Sequence, residues 1–244
     1  MSKRTSLALT AMLLTTAYWL LALWYTNKTA SGKDLVVFSK IAAALQLESS
    51  SRDLYQYFWQ FAMAALLFFV VPKVLKPHLF GTNTAVDGLS LSLNREALMI
   101  CMVAYPIVIA STYFSSQDPL IFNEYPLSKQ IASSWTAFIF YEVCYFSYFF
   151  SYEYFFRGFV SFGLVRSGTK FEMLGIILFQ TVLTTLFHIG KPMPEIIAAA
   201  AFGPVFGFIA FRYGSIWYGM IIHYVMNIFI DYFSLYWQHL LPNQ

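Results

Sequence analysis

The sequence predicts an all-α fold: a polytopic membrane helical bundle with about seven transmembrane helices. Three observations carry that prediction. Of 244 residues, 59% are hydrophobic and only 11% are charged, where soluble domains are about 45–50% apolar and about 25% charged. Mean hydropathy is +0.60. The apolar stretches are long and continuous, not alternating as in the strands of a membrane β-barrel. The net charge of +3, without a basic cluster, argues against a nucleic-acid partner and leaves membrane lipids as the expected surroundings. Cys101 and Cys144 both lie in apolar runs and read as packing residues.

Lys3 and Arg4 precede an apolar run over 6–25. That run exceeds the roughly 7–15 residues of a signal-peptide core, so it reads as a first membrane helix. Residues 35–47 are too short to span and suit an interfacial helix. A second span covers 54–71, with Pro72 expected to end it, and His78 falls in the polar loop that follows. The third, 97–114, contains Pro106, where a kink is expected. The stretch 135–164 has no proline and no glycine before Gly158. At about 1.5 Å per residue it would be near 45 Å long against a core of about 30 Å, so it must tilt, protrude or break. Further spans are expected at 172–188, at 194–211 and at 215–240. The 194–211 segment is rich in small residues, which allow close helix approach in lipid. Lysine and arginine gather in the loops on the side of the N-terminus, which places that end in the cytoplasm.

The chemistry lies in polar groups inside these spans, which default to functional candidates. Glu153 and Arg157 sit at i and i+4 and share a helix face. Glu142 precedes Glu153 by eleven residues, roughly 20° away on the helical wheel, and joins the same stripe. Thr181, Thr184, Thr185 and His188 form a ridge that should line a cavity or face a helix. His223, Asn227 and Asp231 recur at i, i+4 and i+8 on the last span and point into the bundle. A structural ion pair and packed imidazoles are the bland alternative for each group taken singly. There is no His-Glu-x-x-His and no Gly-x-Ser-x-Gly.

Taken together, Glu153-x-x-x-Arg157-Gly158, Phe187-His188 and His223-x-x-x-Asn227, in this order on separate spans, resemble the CPBP family. That family comprises the CAAX-prenyl-protease-2-like and bacteriocin-processing intramembrane proteases, also called Abi. The resemblance covers about residues 134–231, with 1–115 as N-terminal membrane helices and loops of a single integral membrane domain. The family motif carries two adjacent glutamates, and water activation is ascribed to the first. Position 152 here is Tyr152, and Thr184 stands where the family usually has Phe.

The resemblance implies intramembrane peptide-bond hydrolysis by a glutamate-activated water. Glu153 would be the general base, paired with Arg157, and His188 would hold the water. His223 and Asn227 would stabilise the oxyanion, and Glu142 is a substitute base. The expected substrate is a lipidated or transmembrane peptide. No cofactor is expected, although two histidines and a glutamate leave a divalent metal open. The expected location is the cell (inner) membrane. The alternative is a non-catalytic relative that binds a peptide, lipid or protein partner in the same cavity. A small transporter ranks third, since no repeat is seen.

Overall fold

A computed structural model describes residues 16–18, 52–80, 87–91 and 93–242. Most of the first expected span and the whole interfacial segment at 35–47 lie outside the described residues. Of the former, 16–18 are helical; the Tyr18 hydroxyl donates to the Leu67 carbonyl and its ring packs 6.0 Å from Phe155.

The described residues are all-α, with one isolated bridge, Leu89 to Ser215. Helix α1 (Arg52–Ala64) passes through a π turn (Ala65–Val70) into α2 (Val71–Phe80). Pro72 therefore does not end the second span, and His78 belongs to the last turn of α2, not to a loop. The physical reason is the π turn. It shifts the hydrogen-bond register just before Pro72, where the residue's missing N–H would otherwise break the ladder.

Helix α3 (Arg95–Ser115) starts at Asn94, whose side chain accepts from the Ala97 N–H, and runs as one helix with Pro106 inside it. A short α4 (Pro119–Glu124) and a 3₁₀ turn (Lys129–Ser133) lead to α5 (Trp135–Glu153). The long fourth span does not split. It continues from α5 as a nine-residue π segment, Tyr154–Phe162.

Helix α6 (Lys170–Phe187) is capped at its start. Thr169 accepts from the Glu172 N–H, and Glu172 accepts from the backbone of Arg166, Ser167 and Gly168. Helices α7 (Met193–Tyr213) and α8 (Trp217–Trp237) complete the bundle.

Among the described residues, four helical segments are long and apolar enough to cross a membrane: Leu54–Phe80, Arg95–Ser115, Lys170–Phe187 and Met193–Tyr213. The chain is an integral membrane protein of the all-α class. Helices α5 and α8 are of similar length and carry the buried ionisable groups Glu142, Glu153 and Asp231, which suit them to the interior.

Two contacts position the site. Helix α7 lies close on α6 because Gly203 and Gly207 leave room for it. A Cβ at 203 would meet Thr181 Cγ2 at 2.9 Å, and one at 207 would meet Gln180 Nε2 at 2.9 Å. The Gln180 side chain donates across the seam to the Gly203 carbonyl at 2.8 Å. The small residues of this span thus do what the sequence predicts. Helix α8 crosses α5 and brings the 223–231 ridge against the 142–153 stripe, as the polar contacts below show.

Candidate active site

The helical period places the site. Helix α5 stays intact from Glu142 to Glu153, so the two carboxylates keep one face. On α8, His223 and Asn227 present the opposing face. His223 donates from Nδ1 to Glu153 Oε1 at 2.7 Å, and Asn227 Nδ2 lies 3.5 Å from Glu142 Oε2. Asp231 continues the ridge and faces Glu142 as a buried carboxyl pair.

Arg157 sits in the π segment one turn beyond Glu153. Its Nη1 donates to Glu153 Oε1 at 3.2 Å. Glu153 is fully buried and Arg157 is 3% exposed. Such a pair is costly to desolvate, and its geometry must compensate. Here the guanidinium also lies 5.7 Å from the Tyr152 and Phe206 rings, a favourable cation–π arrangement. Short π segments inside α-helices are frequent at functional sites.

His188 caps α6. Its Nδ1 lies 2.7 Å from the Thr184 carbonyl. A carbonyl only accepts, so Nδ1 carries the proton and a neutral ring leaves Nε2 free as an acceptor. That nitrogen lies 3.8 Å from Glu195 Oε1.

A cavity of about 500 Å³ unites these groups. Its wall includes His188, His223, Asn227, Arg157, Tyr152 and Glu195. The volume falls within the usual range for ligand pockets, about 300–1,000 Å³. Four of the five predicted site residues therefore share one cavity. Glu153, the fifth, is not on the wall but is held behind it by Arg157 and His223. Thr184 joins the wall. Thr181 instead packs under Gly203, and its hydroxyl donates to the Ile177 carbonyl. Cys101 and Cys144 are free.

Sequence reasoning missed Glu195. Its carboxylate faces the cavity beside His188, with Tyr125 and Lys191 as neighbours. In sequence it is an acidic residue in the first turn of a helix, which the helix dipole alone explains. Among the described residues, no three His, Cys, Asp or Glu side chains gather closely enough to hold a metal ion.

Fold and site together define an integral membrane protein whose helices enclose a mainly apolar cavity with two histidines in its wall. Residues 133–229 match the model of the family described as Rce1-like, type II CAAX prenyl endopeptidase Rce1-like. The match covers Glu153, Arg157, His188, His223 and Asn227, and it agrees with the CPBP resemblance. No curated protein and no solved structure matches the chain.

Proposed function

We propose that this protein is an intramembrane endopeptidase of the CAAX-protease type, hydrolysing a peptide bond of a lipidated or transmembrane peptide. One observation carries the reading. Two imidazoles from different helices each commit Nδ1 to the protein and line the same cavity, within the segment that matches the family. In this reading His188 holds the water through Nε2. Glu153 accepts from Nδ1 of His223 and fixes its ring, and in this reading His223 and Asn227 stabilise the developing oxyanion. Fixed donors of this kind act most strongly in a dry site. Arg157 keeps Glu153 in place. The lysine and arginine distribution supports a cytoplasmic N-terminus in the cell membrane.

Tyr152 favours one rival. It replaces a carboxylate of the family motif, and its ring lies 5.6 Å from His223 and 6.3 Å from His188. A partner-binding protein without hydrolytic activity would tolerate that exchange.

The deciding experiment is a cleavage assay on the full chain in liposomes. Prenylated and transmembrane peptides are offered with and without chelator, and products are read by mass spectrometry. We expect cleavage of a prenylated peptide, reduced about 10²-fold or more in His188→Ala. Binding of the same peptides without any product would overturn the peptidase reading in favour of the rival.

A further inference from the structure

We propose that Glu195 is the carboxylate that activates water in this site, working with His188. The assignment rests on the peptidase reading above and names the group which that reading leaves open.

Three observations point to it. First, the motif glutamate is set back from the cavity. Glu153 Oε1 accepts from both Arg157 and His223, and the residue is fully buried away from the cavity wall. A base must reach the proton that it takes. Second, the neighbouring motif position offers a phenol ring, not a carboxylate, since Tyr152 packs there against His188 and His223.

Third, Glu195 stands where a base is needed. Its Oε1 lies 3.8 Å from His188 Nε2. That is too long for a direct hydrogen bond, yet it leaves room for a water about 2.8 Å from each. The other oxygen, Oε2, is buried without a close hydrogen-bond partner, and the Tyr125 hydroxyl beside the carboxylate helps to hold it in place. His188 has its proton on Nδ1, so Nε2 can accept one hydrogen of that water while Glu195 accepts the other. The lone pairs of the water then face the cavity.

The step is balanced. Glu195 takes a proton from the water, and the water oxygen bonds to the scissile carbonyl carbon. The carbonyl π pair moves onto oxygen as the tetrahedral oxyanion. Collapse re-forms the carbonyl and breaks the C–N bond, and Glu195 returns its proton to the leaving nitrogen. The carboxylate is restored, and one water has been consumed.

Local structure supports the pairing. His188 ends α6 and Glu195 lies in the first turn of α7, so one tight turn fixes their separation. The close α6–α7 seam at Gly203 and Gly207 keeps that turn in register.

The test is steady-state cleavage of a farnesylated peptide by the full chain in liposomes, comparing wild type, Glu195→Gln and Glu195→Asp. Glu195→Gln is expected to lower kcat by about 10²–10⁴. KM should stay within about threefold, as expected when a group acts only in the transition state. Glu195→Asp should retain an intermediate kcat, because a carboxylate remains. Thermal midpoints in detergent separate loss of chemistry from loss of fold, since glutamine is nearly isosteric. A Glu195→Gln kcat within about threefold of wild type, or a loss confined to KM, overturns the assignment and leaves the peptidase reading standing. A wild type that cleaves no peptide overturns that reading and the assignment with it.

Discussion

His223 Nδ1 donates to Glu153 Oε1 across 2.7 Å, joining the last helix to the π segment's first turn through a carboxylate that also holds Arg157. This chain of three side chains fixes the ring of His223 and turns its other nitrogen away from Glu153. The carboxylate is thus the centre of a buried network, and removing any member leaves a charged or polar neighbour without its partner.

The pair Glu153–Arg157 should therefore dominate the stability of the core. Arg157→Met strands a buried carboxylate and is expected to cost about 3–5 kcal/mol. Glu153→Gln strands the guanidinium with a comparable penalty. The double variant should be less destabilised than the sum of the two, with coupling of about 0.5–3 kcal/mol. Thermal unfolding in detergent of the four proteins measures this, and strict additivity would deny the pair any role in holding the fold.

Two glycines of the α6–α7 hairpin should respond to alanine with opposite signs. At Gly203 the new Cβ meets Thr181 Cγ2 at 2.9 Å. Thr181 has little freedom to yield, because its hydroxyl is bound to the Ile177 carbonyl at 2.7 Å and to Gln180 Nε2 at 2.9 Å. Gly203→Ala is expected to destabilise by about 1–3 kcal/mol. At Gly175 nothing lies within 4 Å of the added carbon. Gly175→Ala should stabilise α6 by about 0.5–1 kcal/mol through helix propensity. Melting midpoints that move together would contradict the close approach at Gly203.

The loop at 87–91 should respond to acid. Burial of Asp87 works to raise its pKa, but the hydrogen bond from Lys73 and the one from the Leu89 N–H outweigh it and hold the group below its ordinary 3.8. A carboxyl depressed in the folded state contributes stability that is complete above its unfolded pKa, about 3.9, and is lost as pH falls through the folded value. Melting temperature should therefore drop on acidification below about pH 4. Asp87→Asn should flatten that part of the profile. An unchanged slope in the variant would show that other carboxyls govern it.

Much of the site was legible because the helical period governs it. The spacing of Glu142 and Glu153 on one helix, and of His223, Asn227 and Asp231 on another, already defines two polar faces. The structure lays one against the other, Glu153 on His223 and Glu142 on Asn227. What periodicity does not encode stayed hidden. The π turn ahead of Pro72 changes hydrogen-bond register without a distinctive residue pattern, so the sequence alone predicts a stop at the proline. Glu195 was hidden because helix starts attract acidic residues whatever their role. Its place beside His188 arises from how α6 folds back on α7, a tertiary relationship with no spacing signature.

The wall of the cavity is drawn from two groups of helices that meet at Phe206, whose ring packs on both Arg157 and His223. His188 and Glu195 belong to one hairpin, riveted by the Gly203 seam; Glu153, Arg157 and His223 belong to the crossing of α5 with α8. Any change in the gap between the two imidazoles must therefore repack the Phe206 ring, which makes that ring the mechanical link between the two groups.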